Sequence, residues 1–134
     1  MPLGSVLSLG PIKGYQGAVT EVPDKPQVRY QALHHQFVAS ALAVKYAHDH
    51  YPQFKMGNMC IFSTMYPLTC NPDDVIETQK EMRKMNWFAS DIHVRGYYPS
   101  YSERFFEENN IVIKKEPGDD EILKNRMKIS LPAT

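Results

Sequence analysis

The chain lacks an excess of charge of either sign. Its 134 residues include 15 lysines and arginines and 15 aspartates and glutamates, which cancel at pH 7. Nucleic acids and anionic membranes attract proteins through a field of positive charge, and this composition supplies none. We therefore do not expect a nucleic acid as a partner.

Long apolar runs are also missing. No stretch approaches the roughly 20 apolar residues that cross a bilayer, so we expect no membrane partner. Residues 1–4 (MPLG) show neither the basic segment nor the apolar segment of a secretory signal. Together these features predict a cytoplasmic protein.

Cysteine is scarce, and the potential metal ligands are poorly arranged. Cys60 and Cys70 lack C-x-x-C spacing, so we interpret both as free thiols. The adjacent His34 and His35 would point about 100° apart on a helix, which does not suit a shared ion. We therefore predict structural roles for the histidines, with no metal and no cofactor.

A long helix is predicted after a loop. Residues 1–25 are dense in glycine and proline, which favours irregular chain. Pro26 suits the first turn of a helix capped by Asp24, and residues 27–51 contain no further proline or glycine. Apolar residues recur there at helical spacing and predict a wide apolar face, namely Leu33, Phe37, Val38, Ala41, Leu42 and Val44 together with the alanines Ala32, Ala39, Ala43 and Ala47. The small side chains of the alanines predict close packing against a sheet or another helix.

One strand is predicted, over residues 54–62 (FKMGNMCIF). A nearly continuous apolar run of this length is typical of a parallel strand that helices cover on both faces. Such a strand needs hydrogen-bonded neighbours, because its backbone groups are otherwise unpaired. We therefore expect its partner strands to lie in sequence outside this chain.

The second half is predicted to be mostly helical. Asn71 can cap a helix that starts at Pro72 and reaches about Trp87, with Asp73 and Asp74 complementing the helix dipole rather than acting as acid and base. Beyond it the sequence predicts irregular chain over 91–99 with a turn at Gly96, a third helix over 100–109, an extended segment over 111–115 and a helical turn over 119–124.

Several blocks resemble family 1 glycoside hydrolases. Residues 34–44 (HHQFVASALAV) resemble the helix after barrel strand four, and residues 57–59 (GNM) resemble the start of strand five. Residues 66–74 (YPLTCNPDD) resemble the loop and helix start that follow, and residues 95–99 (RGYYP) resemble the family's G-x-Y-P turn. The YPLTC and RGYYP forms are similar to the 6-phospho-β-glucosidase branch. The blocks also follow one another in the family's order.

The resemblance implies an α/β fold, the (β/α)₈ TIM barrel of about 250 residues. The chain is then a partial barrel, about its middle third, rich in helix and with one clear parallel strand. Residues 1–124 would run from the loop after strand four to the region before strand six. Residues 125–134 (NRMKISLPAT) depart from the family pattern as a divergent tail, which a frameshift or gene interruption would produce.

The resemblance also implies retaining glycoside hydrolysis, which uses two carboxyl groups about 5–5.5 Å apart. The family supplies them from an Asn-Glu motif after strand four and a Glu-Asn-Gly motif after strand seven. This chain has no Asn-Glu dipeptide, and its Glu108-Asn109 is followed by Asn110 and predicts a helix end. We therefore expect no catalytic residue in it, and the family's phosphate-holding residues, after strand eight, are also missing.

One loop keeps a functional role by resemblance. Loops after barrel strands carry the chemistry of these enzymes, and the loop after the predicted strand contains Phe62, Ser63, Thr64 and Tyr66. In the family this region lies on the aglycone side of the pocket. We expect these residues to contact the leaving group of a phosphorylated β-glucoside in the intact enzyme.

Three functions stay open at this point. The chain is a segment of a 6-phospho-β-glucosidase, or a non-catalytic remnant that associates at most with complementary barrel segments or with itself. The third option is an independent carbohydrate-binding module, which would have to fold alone around a single strand.

Overall fold

The computed structural model describes residues 25–58 and 62–126, and these are helical or irregular, with no strand. The helices are α1 (Pro26–His50), α2 (Pro72–Met82), α3 (Phe88–Arg95), α4 (Ser100–Glu108) and α5 (Asp119–Arg126). A π-helical turn, Arg83–Trp87, joins α2 to α3 without a break. In the described ranges, none of the helices combines the length and apolarity of a membrane span.

Helix α1 confirms the predicted long helix, and it packs through part of the predicted apolar face. Pro26 occupies its first turn after the extended Lys25, while the proposed cap Asp24 lies outside the described residues. The buried side chains are spaced to form one helical face, namely Tyr30, Leu33, His34, Phe37, Ala41 and Ala47. Of the predicted apolar face, Leu33, Phe37, Ala41 and Ala47 are buried, whereas Ala32, Ala39 and Ala43 are exposed on the opposite side of the helix. The large side chains therefore form the packed face.

The core gathers around α1. Its buried apolar members are Tyr30, Leu33, Phe37, Ala41, Phe88, Ala89, Ile92, Ile111 and Leu123. The Tyr30 ring meets the Phe88 ring edge-on, with centroids 5.6 Å apart and an interplanar angle of 80°. Edge-to-face contact suits the quadrupoles of aromatic rings and adds to the stabilisation from burial. One face of α1 therefore packs against α3, the segment after α4, and α5.

Helix α2 begins as predicted but the helical chain ends later than predicted. The Asn71 side chain accepts a hydrogen bond from the Asp73 amide at 3.1 Å, and Pro72 follows it in the first turn. The chain then stays helical through the π turn to Arg95, so the irregular structure predicted for residues 91–95 is wrong. Tertiary packing explains the extension, because Ile92 is buried in the core against α1. Gly96, with a φ of 74°, ends α3 and confirms the predicted turn.

The segment after α4 lies along α1 and is held by two glutamines. The third helix was predicted over 100–109, and α4 ends at Glu108, followed by Asn110 with a φ of 53°. The Gln27 amide then bonds both the N–H and the C=O of Val112, each at 2.7 Å. Gln31 does the same for Lys114, at 2.8 and 2.9 Å. Bonding at alternate residues is typical of extended chain, although no strand forms here.

The parallel strand predicted over residues 54–62 is not found in the part that the structure describes. Residues 54–58 and Phe62 are irregular, while residues 59–61 lie outside the described ranges. A parallel strand requires neighbouring strands for its backbone hydrogen bonds, and no described segment offers one. Phe54 and Phe62 are each 56% exposed as a result. In its described residues, the apolar run therefore has neither hydrogen-bonded neighbouring strands nor helices that bury its phenylalanines.

Candidate functional site

The predicted aglycone loop connects the irregular segment to α2. Phe62, Ser63, Thr64 and Tyr66 are all exposed, and Tyr66 reaches 82% exposure. The loop is nevertheless attached at both ends by side chains of the α2–α3 helix. The middle of the loop, around Tyr66, is therefore exposed to solvent while both ends of the loop are fixed.

The π turn provides the first attachment. Asn86 is 3% exposed, and its side chain brackets the Ser63 backbone by accepting from the Ser63 N–H at 2.9 Å and donating to the Ser63 carbonyl at 2.7 Å. The wider π turn changes the direction of this side chain relative to an α-helix, and such turns are frequent at functional sites. Sequence analysis missed Asn86. An asparagine inside an otherwise helical stretch was the signal, because asparagine favours local backbone bonding over helix interiors.

Asp74 provides the second attachment. Its carboxylate accepts hydrogen bonds from the Thr69 N–H at 3.1 Å and the Thr69 hydroxyl at 2.6 Å. The Thr69 hydroxyl in turn accepts from the Asn71 N–H at 3.1 Å. Asp74 thus closes the turn that starts α2, in agreement with the structural role predicted for it.

Of the four predicted site residues, Tyr66 borders an open groove formed by described residues. This open groove has a volume of about 320 Å³ and is lined by Met65, Tyr66, Leu68, Asp74, Glu77, Thr78 and Glu81. Its walls contain carboxylates but no lysine or arginine, so they offer nothing to neutralise a phosphate. The structure does not bring Phe62, Ser63 or Thr64 into this lining. The groove suits an uncharged group.

A buried polar network involves the first histidine of the conspicuous His-His pair. His34 is fully buried; its Nδ1 lies 2.8 Å from the Tyr98 hydroxyl and its Nε2 lies 3.0 Å from the Asp119 carboxylate. The hydrogen bond from His34, aided by one from the Glu116 N–H, lowers the pKa of Asp119. Burial raises the pKa of Tyr98, which keeps its phenol protonated.

This network is structural. Because His34 has no exposed surface, no substrate can reach the imidazole, and its two ring nitrogens are both occupied. The bonds join α1 to α5 and to the chain before α4. Sequence reasoning predicted a structural histidine but not these partners, which lie 64 and 85 residues away along the chain.

The remaining candidate groups are also accounted for within the described ranges. Glu108 lies at the end of α4 and pairs with the Arg104 guanidinium at 2.8 Å, as expected for a solvated helix terminus. Cys70 is an exposed free thiol, whereas Cys60 lies outside the described residues. No cluster of metal-ligating side chains occurs in the described part of the chain.

The comparison with known families decides the identity. Residues 13–131 match Glycosyl hydrolase family 1. The chain belongs to glycosyl hydrolase family 1. The family predicted from the sequence is therefore confirmed, and the match covers nearly the entire chain.

The family 1 relatives are much longer than this chain. It is 45% identical over 121 residues to 6-phospho-beta-glucosidase AscB of Escherichia coli strain K12, which covers 90% of the chain and 25% of the relative. It is 53% identical over 96 residues to a 6-phospho-beta-glucosidase of Clostridium longisporum, covering 72% and 20%. It is 45% identical over 120 residues to the aryl-phospho-beta-D-glucosidase BglH of Bacillus subtilis strain 168, covering 90% and 25%. The chain thus spans about a quarter of the length of these relatives.

Proposed function

We propose that this chain is a segment of a 6-phospho-β-glucosidase barrel, the enzyme that hydrolyses the O-glycosyl bond of phosphorylated β-glucosides. Identity of 45–53% to proteins named as phospho-β-glucosidases supports this assignment over other members of the family. The segment would run over residues 1–124, with residues 125–134 as a divergent tail. Phosphate recognition and catalysis would belong to other segments of the barrel.

The anchored loop over residues 62–71 supports a role of this segment in binding the aglycone. Asn86 and Asp74 hold its two ends, while Tyr66 borders a groove without a cationic side chain. A phosphorylated sugar needs positive charge around it, whereas the leaving group of such a substrate does not. We infer that Phe62, Ser63, Thr64 and Tyr66 form part of the aglycone side of the pocket.

The role of the loop is testable in an intact relative that has the same residues. Replacing Phe62 and Tyr66 by alanine should change the ratio of kcat/KM between bulky and small aglycones by about tenfold, because single apolar contacts discriminate by that order. Activity on a generic aryl 6-phospho-β-glucoside should change less. Replacing Tyr97, which is exposed but outside the loop, is the matched control. Equal ratios in wild type and in the loop variant would remove these residues from the site.

The isolated chain should be catalytically silent. Retaining hydrolysis needs a nucleophile and an acid/base on either side of the scissile bond, and Glu108, in the single Glu-Asn sequence, is committed to a surface ion pair. Purified chain should therefore not release aryl alcohol from an aryl 6-phospho-β-glucoside above background. Turnover that disappears when one Asp or Glu of this chain is substituted would contradict the proposal.

In the alternative hypothesis, the chain is an inactive remnant that gives no hydrolysis even when complementary barrel segments are present. Exposed apolar residues favour association with complementary barrel segments instead, since α1 presents Ala39, Leu42 and Tyr46 to solvent. Co-expression with the flanking segments of an intact relative should restore hydrolysis if the chain is a competent barrel segment. The positive control combines the same flanking segments with the relative's own central segment, which should be active. If that mixture hydrolyses the substrate and the mixture with this chain does not, the chain is an inactive remnant.

A further inference from the structure

A second groove lies between α1, the α2–π segment and α4. It shares no residue with the open groove that Tyr66 borders. Its volume is about 160 Å³, and it is lined by Tyr30, Lys80, Arg83, Lys84, Phe88, Tyr101, Ser102, Arg104, Phe105 and Glu108. The floor is aromatic and the rim is mostly cationic. None of the proposed roles of the segment uses this groove.

The floor fits one aromatic ring. The Tyr30 ring is packed against Phe88 and Phe105, at centroid distances of 5.6 and 5.2 Å, and these rings line the groove. An apolar cavity of about 150 Å³ is large enough to bind benzene, so a groove of this size accommodates a single aromatic ring. Such a ring would find edge-to-face partners in the floor.

One rim cation is available to a ligand. Lys80, Lys84 and Arg104 each lie within ion-pair distance of a carboxylate, at 3.5, 3.2 and 2.8 Å respectively. Arg83 instead lies over the Tyr101 ring, 5.6 Å from its centroid, and has no carboxylate partner among the described residues. Its guanidinium therefore keeps donors that can receive an anionic group.

The floor also contains a phenol. Tyr30 is 5% exposed and lines the groove with its side chain. Burial raises the pKa of this phenol, so it stays protonated and can donate. A protonated phenol that lines a groove can add a hydrogen bond to a bound anion.

We propose that this groove binds a single aromatic ring with an anionic substituent, the ring on the aromatic floor and the anion on Arg83 and the Tyr30 hydroxyl. The volume accommodates a single ring, and the Arg83 guanidinium favours a ligand with negative charge. The site does not depend on the proposed glycosidase function, because it lies outside the aglycone loop and involves no barrel strand.

Ligand-observed saturation-transfer NMR on the full chain tests the site. Phenyl phosphate should receive saturation at its ring protons, and benzyl alcohol, with the same ring and no charge, should bind at least about tenfold more weakly because it lacks charge-assisted hydrogen bonds. Inorganic phosphate should compete only weakly, since it lacks the ring. Equal binding of phenyl phosphate and benzyl alcohol, or no transfer to either, would overturn the proposal.

Matched variants locate the site. Arg83→Gln should weaken phenyl phosphate binding about tenfold, whereas Lys55→Gln, which removes the same charge from an exposed position outside the groove, should stay within about twofold. Tyr30→Phe keeps the ring and removes the hydroxyl, and should weaken binding about threefold. Circular dichroism verifies that each variant keeps its helices. An Arg83 variant that binds as well as the Lys55 variant would refute the site and leave the proposed barrel function unaffected.

Discussion

Gly96 combines a special backbone conformation with a close contact. Its φ of 74° lies in the left-handed region, where side chains are strained. A Cβ at this position would also lie 2.5 Å from the carbonyl oxygen of Leu123, which is backbone of α5 and cannot rotate away. The end of α3 and the seating of α5 against it therefore both depend on one missing side chain.

Three glycines separate these two effects. Gly96→Ala should destabilise the docking of α5 by about 2–4 kcal/mol, as left-handed strain and overpacking add. Gly118→Ala should cost about 1 kcal/mol, since Gly118 has a φ of 99° but open space around it. Gly57→Ala, with open space and no positive φ, should be nearly neutral. Amide exchange at Ile122 and Leu123 measures the opening of α5, and equal effects of the Gly96 and Gly118 variants would argue against the contact.

For individual residues, local sequence predicted the backbone conformation but not the distant contacts of side chains. The turn at Gly96 was predictable because glycine announces its conformation locally. The surroundings of His34 and His93 were not. Burial lowers the pKa of His93, whose Nδ1 lies 2.8 Å from the Ala89 carbonyl, and its ring meets Phe37 edge-on at 5.1 Å. Such partners depend on the packing of distant segments, which no local pattern specifies.

Among the elements, helix boundaries followed local chemistry except at the end of the second predicted helix. Pro26 and the Asn71–Pro72 pair mark their helices as predicted, because caps and first-turn prolines act within a few residues. The helix end predicted at Trp87 was wrong because the π turn lets the chain continue and directs the next turns into the core. The strand predicted over residues 54–62 depends on partners that no described segment supplies.

The uncovered side of α1 is the element most suited to association. Ala32, Ala39 and Ala43 form an exposed seam, and Leu42 and Tyr46 beside it are 46% and 57% exposed. Small residues allow close approach of another helix, and a net charge near zero gives little repulsion between copies. The seam is where we expect either complementary barrel segments or a second copy to pack.

Self-association through the seam should respond to one charge. Ala39→Glu places a carboxylate in the centre of the seam and should weaken self-association at least about tenfold, because an unpaired charge would be buried at the contact. His48→Glu adds the same side chain at an exposed position on the other side of α1 and is the matched control. Sedimentation velocity over a range of concentrations gives the association constant. The same constant for both variants would place the contact elsewhere on the molecule.

For the chain taken together, the sequence identifies the family, but the described residues do not form the family's barrel. The ordered blocks of sequence predicted glycosyl hydrolase family 1, and the match over residues 13–131 confirms it, because the family's motifs are local strings. The barrel arrangement follows only from family membership, since the described residues form a helical assembly without a strand. A barrel closes only when all its strands pair in one sheet. This chain spans about a quarter of its relatives' length and cannot supply all those strands alone.

The isolated chain should unfold with low cooperativity. In the described ranges, large exposed apolar side chains outnumber the buried apolar ones, so the single core cluster has little reserve against the conformational entropy of the ordered residues. Helix α1 has 25 residues, which exceeds the roughly 12–15 below which isolated helices are marginal, so it should persist locally even where tertiary packing is loose. We therefore expect a broad thermal transition together with substantial helical circular dichroism.

Amide hydrogen exchange on dilute, monomeric chain distinguishes local helix from a cooperative core. If α1 opens on its own, the amides of Phe37 in α1 and Ile92 in α3 should exchange with different and modest protection, although both side chains lie in the same cluster. A cooperative domain would instead give both amides the same high protection, lost together in one sharp melt. That second outcome would make the chain a domain in its own right, because a core that unfolds as one unit does not need the remaining barrel segments to hold it together.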